Sequence, residues 1–145
     1  MGETMSRISC WFFAISVLYV VIDIPIRMHM GANIGYELAP AHSHWNLLGW
    51  VGNSIYGTFF ALAGANAPKR LPGIVLVLHN IGVPVMIASL ALYLLNHNDR
   101  AYVPGLIAGE VPTIIAMLTF AAAVLIVLTR TTRADGWVES NNGRR

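Results

Sequence analysis

Four long apolar runs dominate this chain and decide what it can fold into. They cover about 8–30, 41–65, 72–95 and 103–129, with short polar breaks between them. A helix needs about 20 apolar residues to cross ~30 Å of hydrocarbon, and each run is near or above that length. No run alternates with period two, so barrel strands are excluded. Helices are the remaining form that satisfies the backbone inside lipid. Composition agrees: only 11% of residues are charged, against about 25% in a soluble domain. The 145 residues allow one domain. An apolar, nearly neutral chain excludes disorder, and a net charge of +2 leaves no basic stripe for nucleic acid. Cys10 stands alone, which excludes a disulfide framework or a zinc ribbon. The expected fold is all-α, an integral membrane four-helix bundle over 1–130. A polar, frayed cytoplasmic tail is expected over 131–145.

The first run has Arg7 in front but lacks a small-x-small cleavage site. It therefore reads as a span rather than a cleaved signal. Orientation follows lysine and arginine. With the N-terminus inside, Arg7, Lys69, Arg70, Arg130, Arg133, Arg144 and Arg145 are cytoplasmic. Only Arg27 and Arg100 lie outside. The expected topology is N-in, C-in. Trp11, Phe12, Phe13, Trp45, Trp50 and Tyr102 fall near the expected interfaces and read as an aromatic belt.

Helix rise converts sequence into depth. His29 closes the first span, and His42 and His44 open the second at the same outer level. Asp23 and Arg27 lie in the outer third of the first span. Glu110 lies about 10 Å down the fourth, and His79 about 10 Å in from the cytoplasmic side of the third. Ionisable groups inside a bilayer tend to be paired or functional. Asp23 and Arg27 are four apart and can pair on one helix. Glu110 has no partner on its own helix and is expected to meet Arg27 or a histidine from another span.

His42 and His44 are the most informative residues. Positions i and i+2 of a helix point in nearly opposite directions, so the two rings serve two sites rather than one ion. His44 shares its face with Leu48, Val51, Ile55 and Leu62. His42 shares its face with Asn46, Gly49, Asn53, Gly57 and Gly64, a small and polar stripe suited to close helix packing. Both histidines also have a plain reading, as interfacial rings bonded to loop backbone.

The segment from Ala41 to Gly57, AHSHWNLLGWVGNSIYG, resembles the helix of heme–copper oxidase subunit I that carries Ala-His-x-His. His44-Trp45-Asn46-Leu47 is similar to the His-x-Asn-Leu helix of nitric-oxide reductases. The chain over about 10–128 resembles short, stand-alone four-helix proteins grouped with that superfamily. Their motifs read here as Met28 to Gly31, Pro40 to Val51 and Asn80 to Pro84. In subunit I the two histidines of the motif bind two different hemes. The resemblance therefore implies heme b, with His44 at the low-spin ligand position and His42 at the other. It also implies a homotrimer that mimics the twelve-helix subunit I, in a bacterial inner (cytoplasmic) membrane. An electron-donor protein or quinol becomes an expected partner. Asn46, His29, Arg27 and Glu110 are further candidates around the cofactor.

Departures from the family limit the activity it implies. One chain carries one His-x-His and no separate copper-ligand helix, so it lacks a complete heme–copper site. Electron transfer or binding of a gas or redox ligand is the expected function, and no catalytic residue is assigned. Two alternatives stand beside it. One is a non-heme copper or zinc site built from His29, His42, His44 and Glu110, with His79 as a further metal candidate. The other is a cofactor-free subunit of a respiratory complex.

Overall fold

The computed structural model describes the backbone of residues 5–33 and 36–142, with side chains over 5–32 and 36–132. Residues 143–145, the end of the expected tail, lie outside the described residues, as do 1–4, 34 and 35. The described chain is all-helical, with four helices. Helix α1 is Arg7–Asn33. Helix α2 covers residues 39–63, α3 is Leu71–Leu95, and α4 is Val103–Asn142.

Local chemistry sets the starts and stops. Ser6 Oγ accepts the Ser9 amide at 3.2 Å and caps α1. Pro40, Pro72 and Pro104 stand in the first turns of α2, α3 and α4, where a missing N–H costs nothing. Gly64 ends α2 at φ 48° and ψ −123°, a backbone conformation that side-chain-bearing residues avoid. Arg130 Nη1 donates to Asn66 O at 2.8 Å and ties that turn to α4. The expected frayed tail is instead helical through Asn142, because propagation from a formed helix is cheap compared with nucleation.

Three helical segments, Arg7–Ala32, Leu71–Leu95 and Arg100–Thr132, are long and apolar enough to cross a membrane. That is the pattern of a multi-pass membrane protein. The second apolar run differs in kind. A π-helical stretch, Trp45–Gly52, divides α2 into an α-helical Ala39–His44 and an α-helical Asn53–Ala63.

Helix α1 packs along α2, α2 meets α3, and α3 runs against α4 over most of its length. Small residues set the last contact. A Cβ at Gly109 would collide with the Met86 backbone, and one at Gly82 with Gly109 O and Thr113. Gly105 lies against Ser89. Gly105, Gly109 and Thr113 thus form a small-residue ridge, four apart, that lets the backbones approach. Near the Gly64 end of α2, Phe12, Tyr56, Phe60 and Phe120 join α1, α2 and α4 in one aromatic cluster. Phe12 is fully buried, so it belongs to the core and not to a belt. Trp11 and Trp50 do face outward.

Candidate functional site

The π-helical stretch organises the centre of the molecule. Widening a helix from i+4 to i+5 bonding loosens its carbonyls and gives neighbours access to them. Here three consecutive carbonyls each receive a side chain. Leu48 O accepts His79 Nε2–H at 2.8 Å, and Gly49 O accepts Asn53 Nδ2 at 2.6 Å. Trp50 O accepts the hydroxyls of Ser16 and Ser54, each at 2.9 Å. Asn53 and Asn80 also exchange amide bonds at 2.9 and 3.1 Å, joining α2 to α3. On the α1 side, the Tyr19 ring fills the space where a Gly49 side chain would stand. Trp45 Nε1 donates to Tyr19 O at 2.8 Å.

His79 is therefore part of this inner network. A carbonyl only accepts, so Nε2 carries the proton and Nδ1 keeps the lone pair. His79 is fully buried, its ring lies edge-on to Tyr56, and a Gly52 Cβ would sit 3.4 Å from its Nε2. Nδ1 has no hydrogen-bond partner among the described residues. No group of three or more ligating side chains that could hold a metal ion forms among the described residues, around His79 or elsewhere.

Where the π stretch begins, towards the start of α2, stands an acid–imidazole–amide cluster. Asp23 Oδ1 lies 2.8 Å from His42 Nδ1, and Asn46 Nδ2 donates to Asp23 Oδ2 at 2.7 Å. Asn46 Nδ2 is also 3.5 Å from His42 Nε2. Asp23 is 6% exposed. An ionised carboxylate accepts only, so His42 Nδ1 donates and Nε2 holds the lone pair. A carboxylate behind an imidazole fixes the ring's tautomer and orientation, as it does behind metal-ligating histidines. A small cavity of about 120 Å³ beside the ring is lined by Ile26, Ala41, His42, Trp45 and Ile87, among others.

His44 points the other way and is exposed. Its Nδ1 lies 2.8 Å from Pro40 O. By the same reasoning Nδ1–H donates to that carbonyl, and Nε2 is an outward-facing lone pair. Further along α2 lies a groove of about 430 Å³. Trp50, Val51, Ile55 and Phe59 line most of that groove.

Several sequence expectations change here. Asp23 does not pair with Arg27, because both its carboxylate oxygens are taken by α2. Glu110 and Arg27 are exposed and make no hydrogen bond or ion pair among the described residues. Glu110 therefore meets neither Arg27 nor a histidine within the chain. His29 is exposed near the end of α1, and Met28 faces outward while Met30 is buried. Leu48 does not share the exposed face of His44. The wide π turn rotates it inward, and Leu47 is exposed instead. The small stripe of α2 is used within the chain: Gly49 against Tyr19, and Gly57 against Phe12 and Phe13. Ser16, Tyr19 and Ser54 carry no motif and are legible only once α1 lies beside the π stretch.

Comparison with family models, curated proteins and solved structures gives no match.

Proposed function

We propose that this chain is a heme-binding membrane protein that handles electrons or a small redox ligand, with His44 Nε2 as the nitrogen that would hold the iron. The observation that carries the reading is the state of the two α2 histidines. Each commits Nδ1 to an oxygen acceptor, Asp23 for His42 and Pro40 O for His44. Each is left with Nε2 as its lone-pair nitrogen, and the two rings point to opposite sides of one helix. The resemblance of Ala41–Gly57 to heme–copper oxidase subunit I is consistent with that arrangement.

Donor-set chemistry favours heme over a bare ion. Zinc or copper needs three or four protein ligands. His29, His42, His44 and Glu110 do not gather into such a set among the described residues. A porphyrin brings four nitrogens of its own, so one or two imidazoles complete the iron. The bound group would supply one-electron redox chemistry. The chain's own contribution is to hold the tautomers. The Pro40 carbonyl orients His44, and Asp23 with Asn46 orients His42.

In this reading all four helices span a bacterial inner membrane, N-in and C-in, with the histidines near the outer surface. The side chains bonded to the Leu48, Gly49 and Trp50 carbonyls would compensate the π stretch where α2 crosses. His44 stands on the outside of one chain, which suits a homo-oligomer, with a trimer preferred, and an electron donor in or beside the membrane.

Titrating hemin into the detergent-purified chain tests the proposal. The expected result is a saturable Soret band that shifts on reduction. Hemin that stays free in detergent, with no saturable change, would overturn it.

A further inference from the structure

Glu110 sits on an otherwise apolar outer face of α4, between exposed Ile107, Val111 and Ile114. Arg27 sits likewise on α1, between exposed Ile24 and Met28. Neither has a hydrogen-bond or ion-pair partner among the described residues. An isolated charge at membrane depth costs a few kcal/mol, so each of these positions calls for an opposite charge from elsewhere.

Packing places the two at nearly one level. Gly109, next to Glu110, stands against Met86 of α3. Ile26, next to Arg27, lines the same small cavity as Ile87 and Ala91 of α3. The offset is about one helical turn, ~5 Å, which a long arginine side chain covers. α1 and α4 do not pack along each other within the chain, so each leaves an outer face available.

We propose that Glu110 of one copy pairs with Arg27 of a second copy, docking the outer face of α4 on the outer face of α1. Two different surfaces meet, so the contact is heterologous and repeats around a closed ring. Each charge is then neutralised at its own depth, with apolar side chains of both helices excluding lipid and water around it. The inference rests on the membrane-spanning reading above but not on heme.

Two differently tagged full-length chains test it, both with Cys10→Ser and both keeping Arg27 and Glu110, one with the exposed neighbour Met28→Cys and the other with the exposed neighbour Val111→Cys. A short bis-maleimide applied to co-expressed membranes is expected to give a mixed-tag dimer. Neither variant paired with itself should cross-link. Without cysteines, Glu110→Arg is expected to lower the detergent-complex mass to one chain, and adding Arg27→Glu to the same chain should restore it. Glu110→Gln should also lose the assembly while keeping its helical content. A wild-type mass of one chain in nanodiscs, or cross-links no stronger in the mixed pair than in the matched ones, would overturn the proposal. Resistance to carbonate extraction, measured on the same membranes, reports separately on the spanning reading.

Discussion

Replacing His44 by alanine is expected to abolish heme binding while leaving the helices intact. The fold loses little, because His44 is exposed and its hydrogen bond is to Pro40 O one turn earlier on the same helix. A single exposed hydrogen bond contributes about 1 kcal/mol or less. On the proposed function, an iron held by His44 would in contrast lose its protein nitrogen. His42→Ala should behave differently. It would strand the Asp23 carboxylate, which is nearly buried and bonded to the ring. Removing one partner of such a buried pair is strongly destabilising, on the order of 3–5 kcal/mol. The expected pattern is therefore loss of cofactor without loss of fold for His44→Ala, and loss of fold first for His42→Ala. Visible spectra and far-UV dichroism on the same samples separate the two. Full heme content in His44→Ala would remove that residue from the site.

Gly109→Ala is expected to destabilise the chain, and the sign is the informative part. Helix propensity alone predicts a gain of about 1 kcal/mol for this change in a helix interior. The packing predicts the reverse, because the new Cβ collides with the Met86 backbone. A flexible side chain can move aside, whereas a backbone can yield only by parting α3 from α4. Overpacking of this kind costs typically 1–3 kcal/mol. The loss should sit at the upper end, because the α3–α4 contact is the most extensive in the fold. Gly105→Ala is the internal control, since its obstacle is the rotatable Ser89 side chain. Unfolding in a detergent and denaturant series should rank wild type above Gly105→Ala and Gly105→Ala above Gly109→Ala. A Gly109→Ala protein more stable than wild type would show that the helices do not approach as described.

What the sequence could reveal divides along physical lines. Helix positions were legible, because apolar run length and the helix-starting prolines act locally. The expected second span, about 41–65, corresponds to residues 39–63. The opposed directions of His42 and His44 were legible for the same reason: they follow from helix rotation alone. The π stretch was not, since it depends on Ser16 and His79 arriving from two other helices. The true partners of Asp23 were hidden likewise. Spacing arithmetic can pair it only with Arg27 on its own helix, whereas α1–α2 packing supplies His42 and Asn46. The faces of Glu110 and Arg27 also needed tertiary structure: both are exposed, and they do not meet each other among the described residues. Phe12 looked interfacial by depth but is core by direction, a distinction that residue counting does not hold.

The most direct test of heme binding is the reduced-minus-oxidised visible spectrum of the wild-type protein. It should be purified in detergent from cells supplied with heme, with the mass of the complex recorded on the same sample. A sharp b-type α band on a multimeric particle is the predicted result. A colourless, well-folded protein would contradict the central claim and leave the histidines as structural groups.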